Sequence, residues 1–81
     1  SAAWAEAQWQ KIDRALLAIE HRWMSHLAGP LDMGQVAVAA ALGYLDFRHA
    51  DRDWPAGHPA LAGWWSAFSE RPAVRATAPQ G

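Results

Sequence analysis

The stretch Leu31-Asp32-Met33-Gly34-Gln35-Val36-Ala37-Val38-Ala39-Ala40-Ala41-Leu42-Gly43-Tyr44-Leu45 decides the fold. From Val36 to Leu45 it holds no charge and is mostly alanine and aliphatic. A helix that is apolar all round is expected to be buried all round. Its start is marked by Asp32 and, three positions later, Gln35. The Asp32 carboxylate can accept from the Gln35 backbone N–H, and the Gln35 side chain can reach back to the N–H of Asp32, which makes a capping box. Leu31 and Val36 have the spacing of a hydrophobic staple across the same turn. These four residues read as folding signals, because a buried helix cannot leave its first N–H groups to water. Gly43 inside the helix costs about 1 kcal/mol relative to alanine, which suggests that another backbone passes close by. The spacing predicts a helix over 32–48, central to the domain.

Upstream, residues 4–28 read as one long amphipathic helix. Ala5, Trp9, Ile12, Leu16, Ile19, Trp23 and Leu27 recur every three or four positions, which puts them on one face. Glu6, Gln8, Gln10, Lys11, Asp13, Arg14, Glu20 and Arg22 then form a solvated face. Gly29-Pro30 ends the helix. Downstream, His49 to His58 reads as a polar loop. A third helix is expected over 59–70, with Pro59 at its first position and Leu61, Trp64, Trp65 and Phe68 as its apolar stripe. Arg71-Pro72 stops it, and 71–81 reads as an irregular tail. There is no repeat and no strand pattern. The fold class is therefore all-α, a partial three-helix bundle in one domain over 1–81.

Composition narrows the function. Six of the 81 residues are tryptophan and 52 % are apolar. Indoles want a packing surface, so either some apolar surface faces a missing element or a compact core leaves a few tryptophans half-exposed. Seven basic and eight acidic residues give a net charge of −1, which offers no basic patch for nucleic acid. The chain has no cysteine. That excludes disulfides, thiolate metal sites and a cysteine nucleophile within it and fits a cytosolic origin. No apolar run reaches the roughly 18–20 residues of a membrane span. The first residues lack a signal-peptide layout, and an opening at Ser1 without methionine suits a fragment.

Candidates for chemistry are few. Asp46, His49, Asp51 and Asp53 gather metal-ligating types in one loop. They lack a ligand register and alternate with Arg48 and Arg52, so solvated charges and local ion pairs explain them better. His21 and His26 are five apart, which is poor geometry for a shared ion. His58 reads as a capping or packing residue. Ser25, Ser66 and Ser69 sit in no nucleophile elbow. The residues alone describe a helical domain without a visible active site.

The order of these signals is more specific than any one of them. A long amphipathic helix precedes the capped, alanine-rich helix, which runs into Gly43-Tyr44-Leu45-Asp46-Phe47-Arg48. Then come His58-Pro59-Ala60-Leu61, Trp64-Trp65, Phe68 and Arg71-Pro72-Ala73-Val74. From about Trp9 to Pro79 this resembles the C-terminal helical domain of bacterial glutathione transferases. The family's Ser/Thr-x-x-Asp cap stands here as Asp32 and Gln35. The resemblance implies a parent enzyme that conjugates electrophiles with glutathione, or reduces them through it, in detoxification. It implies a cytoplasmic homodimer whose N-terminal thioredoxin-like domain supplies the glutathione site and the Tyr, Ser or Cys that holds the thiolate. No catalytic, cofactor-binding or metal residue is carried over to this chain, and the fragment alone is expected to be inactive. Trp9, Trp23 and the tail near Arg75 are left unassigned at the pocket or interdomain surface. Domains of this type also serve as non-catalytic interaction modules of larger assemblies, which is the competing reading.

Overall fold

The computed structural model describes residues 1–76. Among these residues six α-helices follow one another: α1 Ala2–Arg22, α2 Met24–Leu27, α3 Met33–Arg48, α4 Trp54–Gly57, α5 Pro59–Phe68 and α6 Pro72–Ala76. A 3-10 turn over Ala50–Arg52 leads into α4. No strand occurs among the described residues.

The long first helix is broken where one rod was expected. Trp23 leaves helical geometry (φ −117°, ψ 0°), although its N–H still reaches the Ile19 carbonyl at 2.8 Å. The kink turns the short α2 toward the start of α3. The expected polar loop carries a helical turn of its own, α4, with Pro55 in its first turn. Its entry at Asp53 has φ 49°, a left-handed conformation that Asp tolerates better than most residues. Pro72 does not open an irregular tail. It starts α6, because proline suits a first turn; the remainder of the expected tail, 77–81, lies outside the described residues.

The core is built from Leu16, Leu27, Leu42, Leu45, Trp54 and Leu61. Leu42 and Leu61 are wholly buried. Trp9, Trp64 and Trp65 pack against this cluster, while Trp4 and Trp23 stay exposed. Three indole N–H groups find acceptors: Trp54 and Trp65 donate to the two oxygens of Asp46 at 2.9 and 2.6 Å, and Trp64 donates to the Leu27 carbonyl at 2.9 Å. Ala5, expected on the buried stripe of α1, is exposed, as are all residues of its first two turns through Ala7.

The central helix departs most from expectation. Only Gln35, Ala39, Leu42 and Leu45 of α3 are buried. Met33, Val36, Tyr44 and Phe47 remain 77, 43, 53 and 41 % exposed. The elements that pack on α3 leave this apolar face uncovered. Gly43 is approached by a side chain rather than a backbone: a Cβ there would stand 3.7 Å from the Trp65 ring, an ordinary contact.

Candidate functional site

The turn between α2 and α3 concentrates polar contacts. The Gln35 backbone N–H donates to Asp32 Oδ1 at 3.0 Å, and the Asp32 N–H donates to Gln35 Oε1 at 3.3 Å. The Gln35 amide nitrogen then donates to the carbonyls of His26, Leu27 and Gly29 at 3.3, 3.1 and 2.9 Å. Gln35 is 2 % exposed. One side chain thus closes the capping box of α3 and ties it to the carbonyls that end α2, of which Leu27 also accepts from Trp64 and His26 from the Gly29 N–H. A carboxylate in its place has no hydrogens to donate. Asp32 Oδ2 also meets His26 Nε2 at 2.8 Å. The Gln35 N–H holds the Asp32 carboxyl below its usual range, and the nearby His26 adds to this. Gly34 lies under this pair: a Cβ would come 3.2 Å from His26 Nε2 and 3.3 Å from Asp32 Oδ1. Leu31 and Val36 are both largely exposed, so their apolar surface gains little shelter within this chain.

A second set of contacts ties α1 to the segment 52–61. Glu6 pairs with Arg52, Asp13 Oδ1 lies 2.7 Å from His58 Nε2, and Glu20 Oε2 accepts the Leu61 N–H at 2.9 Å. His58 is buried, and its Nδ1 stands 3.4 Å from Glu20 Oε1 without a hydrogen bond. Burial pushes the Glu20 carboxyl up, but the N–H groups of Leu61 and Ala60 and the neighbouring His58 outweigh it, and the net shift is downward. Glu6 and Asp13 keep exposed side chains on the expected solvated face, while the Glu20 side chain is withdrawn from it beside Leu61. Their spacing of seven residues places them along one edge of the helix, a signal the sequence carried and the amphipathic reading passed over.

The loop acids part company. Asp46 is occupied by the two indoles, and Arg52 leaves its neighbours for Glu6. Local ion pairs therefore do not account for the loop. Among the described residues no group of His, Asp and Glu is arranged to hold a metal ion. His49 stacks obliquely between Trp9 and Tyr44, and Arg52 lies 5.4 Å over the Trp9 ring. Trp23 meets His26 edge-on, and Arg75 pairs with Glu70 at the surface. Ser69 only donates to the Ser66 carbonyl. The structure does not bring Trp9, Trp23 and Arg75 into one cavity.

What it does form is an apolar groove of about 610 Å³ along the uncovered side of α3. Val36, Ala40, Tyr44 and Phe47 make one wall, with Trp65, Phe68 and Val74 opposite. Among the described residues the only ionisable groups lining it are the Tyr44 phenol and Asp46, whose two oxygens already accept indole N–H groups. Such a surface excludes water from an apolar occupant and offers little for acid–base chemistry.

Fold and groove together define an all-helical domain whose central helix is half covered. The chain matches the family described as the C-terminal domain of glutathione S-transferase over residues 2–65, and it belongs to that family. It is also similar to a solved glutathione transferase family member from Pseudomonas fluorescens Pf-5 with bound S-(propanoic acid)-glutathione. Identity is 43 %, the TM-score is 0.94, and the match covers 100 % of this chain and 42 % of that one. A second structure from the same organism, with bound glutathione, matches at 43 % identity and a TM-score of 0.93 over 100 % of this chain and 40 % of the other. This chain thus spans less than half the length of the solved relatives. No curated protein matches it. No described helix is long and apolar enough to cross a membrane.

Proposed function

We propose that residues 1–81 are one helical unit, the C-terminal half of a glutathione transferase. Its uncovered α3 face docks against a thioredoxin-like domain that binds glutathione and supplies the thiolate-holding residue. The observation that carries this reading is the row of exposed Met33, Val36, Tyr44 and Phe47 on a largely apolar helix, in a chain spanning 40 % of a glutathione-bound relative. An exposed apolar surface of this kind marks an interaction site. The complete protein conjugates or reduces electrophiles with glutathione as a cytoplasmic homodimer. This half contributes a wall of the electrophile pocket and is inactive alone.

The test is reconstitution. The part of the Pseudomonas fluorescens relative that this chain does not cover is produced separately and mixed with it. The mixture should associate and conjugate glutathione to an activated aryl halide, while neither piece does so alone. Val36→Glu should abolish association. Association without glutathione binding or turnover would favour the non-catalytic interaction module. Absence of association would remove the docking reading.

A further inference from the structure

The charges of α1 are sorted by side. Its three acids, Glu6, Asp13 and Glu20, all reach inward to Arg52, His58 and the Leu61 N–H. Its cations, Lys11, Arg14 and Arg22, take part in no ion pair among the described residues and are all exposed. Trp4, Ala7, Lys11, Arg14, Ala18 and Arg22 recur at intervals of three or four and so share the face turned away from the core. Alanine at 7 and 18 lets another backbone come close. Trp4, 66 % exposed, sits on the overhanging first turns of α1.

We propose that this outer face of α1 docks an α-helix bearing carboxylates spaced to meet Lys11, Arg14 and Arg22, with Trp4 covering one end of the pair. Three properties select that partner. The face carries cations and no anion, so its complement is acidic. Its period is helical and the small Ala7 and Ala18 are interspersed with its larger side chains, which fits ridges against grooves. A second copy of the same face is disfavoured, because a two-fold pairing sets Lys11 and Arg14 against their own kind. Three cations over about 16 Å of helix, in a chain of net charge −1, are too few for nucleic acid. The surface is distinct from the α3 groove, and the inference does not rest on the transferase reading.

The experiment is a charge swap on the 81-residue chain. The probe is a dye-labelled, covalently stapled 21-residue helix with Glu facing positions 11, 14 and 22 and Ala facing 7 and 18; its counterpart carries Lys instead of Glu. Fluorescence anisotropy should show binding of the acidic helix only, weakening at least tenfold between 20 and 200 mM salt. The triple variant Lys11→Glu, Arg14→Glu, Arg22→Glu should lose the acidic helix, bind the Lys helix, and keep its circular dichroism spectrum and melting curve. Trp4→Ala should weaken binding several-fold without altering the salt dependence. Equal binding of both probes, unchanged binding by a folded triple variant, or tighter binding of a DNA duplex than of the acidic helix would overturn the proposal.

Discussion

Leu42 and Met33 stand on the same helix, one wholly buried and the other 77 % exposed. Between them α3 changes surroundings, not composition. Its inner face, Ala39, Leu42 and Leu45, is completed by α1, α2, α4 and α5 within the chain. Its outer face, Met33, Val36, Tyr44 and Phe47, has the same apolar character and stays exposed among the described residues. The comparison separates two reasons for an apolar residue. One holds this chain together, and the other suits a surface that must exclude water against something else. A helix read from composition alone shows their sum.

The sharpest test of the inner face is Leu42→Ala. It should cost about 2–5 kcal/mol, a large share of the stability of a domain this small, as read by chemical denaturation. A cost under about 1 kcal/mol would mean that the inner face is loosely packed. At the helix start, Gln35→Ala removes the side-chain half of the capping box and the donor to the Gly29 carbonyl, and should cost about 2 kcal/mol. Gln35→Glu sets a buried carboxylate against the same carbonyl oxygens and should cost more than Gln35→Ala. Asp32→Ala should lower the melting temperature by about 4–8 °C.

Acid should attack the same joint. The Asp32 and Glu20 carboxyls lie below their ordinary values of 3.8 and 4.5. Their stabilisation is therefore full above those values and is lost as pH falls through the lower folded ones. Asp32→Asn, which keeps a capping oxygen, should flatten part of the decline in melting temperature between about pH 5 and pH 3. An unchanged slope would assign the acid sensitivity to Glu20. Gly43→Ala should stabilise by about 0.5–1 kcal/mol, since the Trp65 ring leaves room for a methyl group. A loss would show that the ring cannot give way. The smallest effect belongs to the outer face. Met33→Ser should change stability by no more than about 0.5 kcal/mol while weakening association in the reconstitution experiment. If it destabilised the isolated chain as much as Leu42→Ala, the two faces would not differ as described.

Local signals were legible in the sequence. The α3 start followed from Asp32 and Gln35, and the apolar stripe of α5 from Leu61, Trp64, Trp65 and Phe68. The kink at Trp23 was hidden because the apolar period continues across it to Leu27. The helical turn at 54–57 was hidden because Pro55 and Gly57 read as loop residues. The polar partners were the hardest to see. Nothing local announces that Gln35 serves the end of α2, or that Glu6, Asp13 and Glu20 meet residues more than 40 positions away. The groove was invisible for a related reason: an all-apolar helix does not reveal which side its own chain will leave open.

Those three acids also make the fold cooperative. Glu20–Leu61, Asp13–His58 and Glu6–Arg52 each join residues 41 to 46 apart. Whichever forms first must close a long loop, an entropic cost that grows only slowly with length. Once Glu20 has met Leu61, the next tie closes over only about ten further residues, seven of them already held in α1. The ties therefore support one another, and the seam opens from the exposed first turns of α1 toward the buried Leu16. Amide exchange along α1 should fall in that order, with the first turns unprotected and the residues around Leu16 exchanging only when the whole domain unfolds.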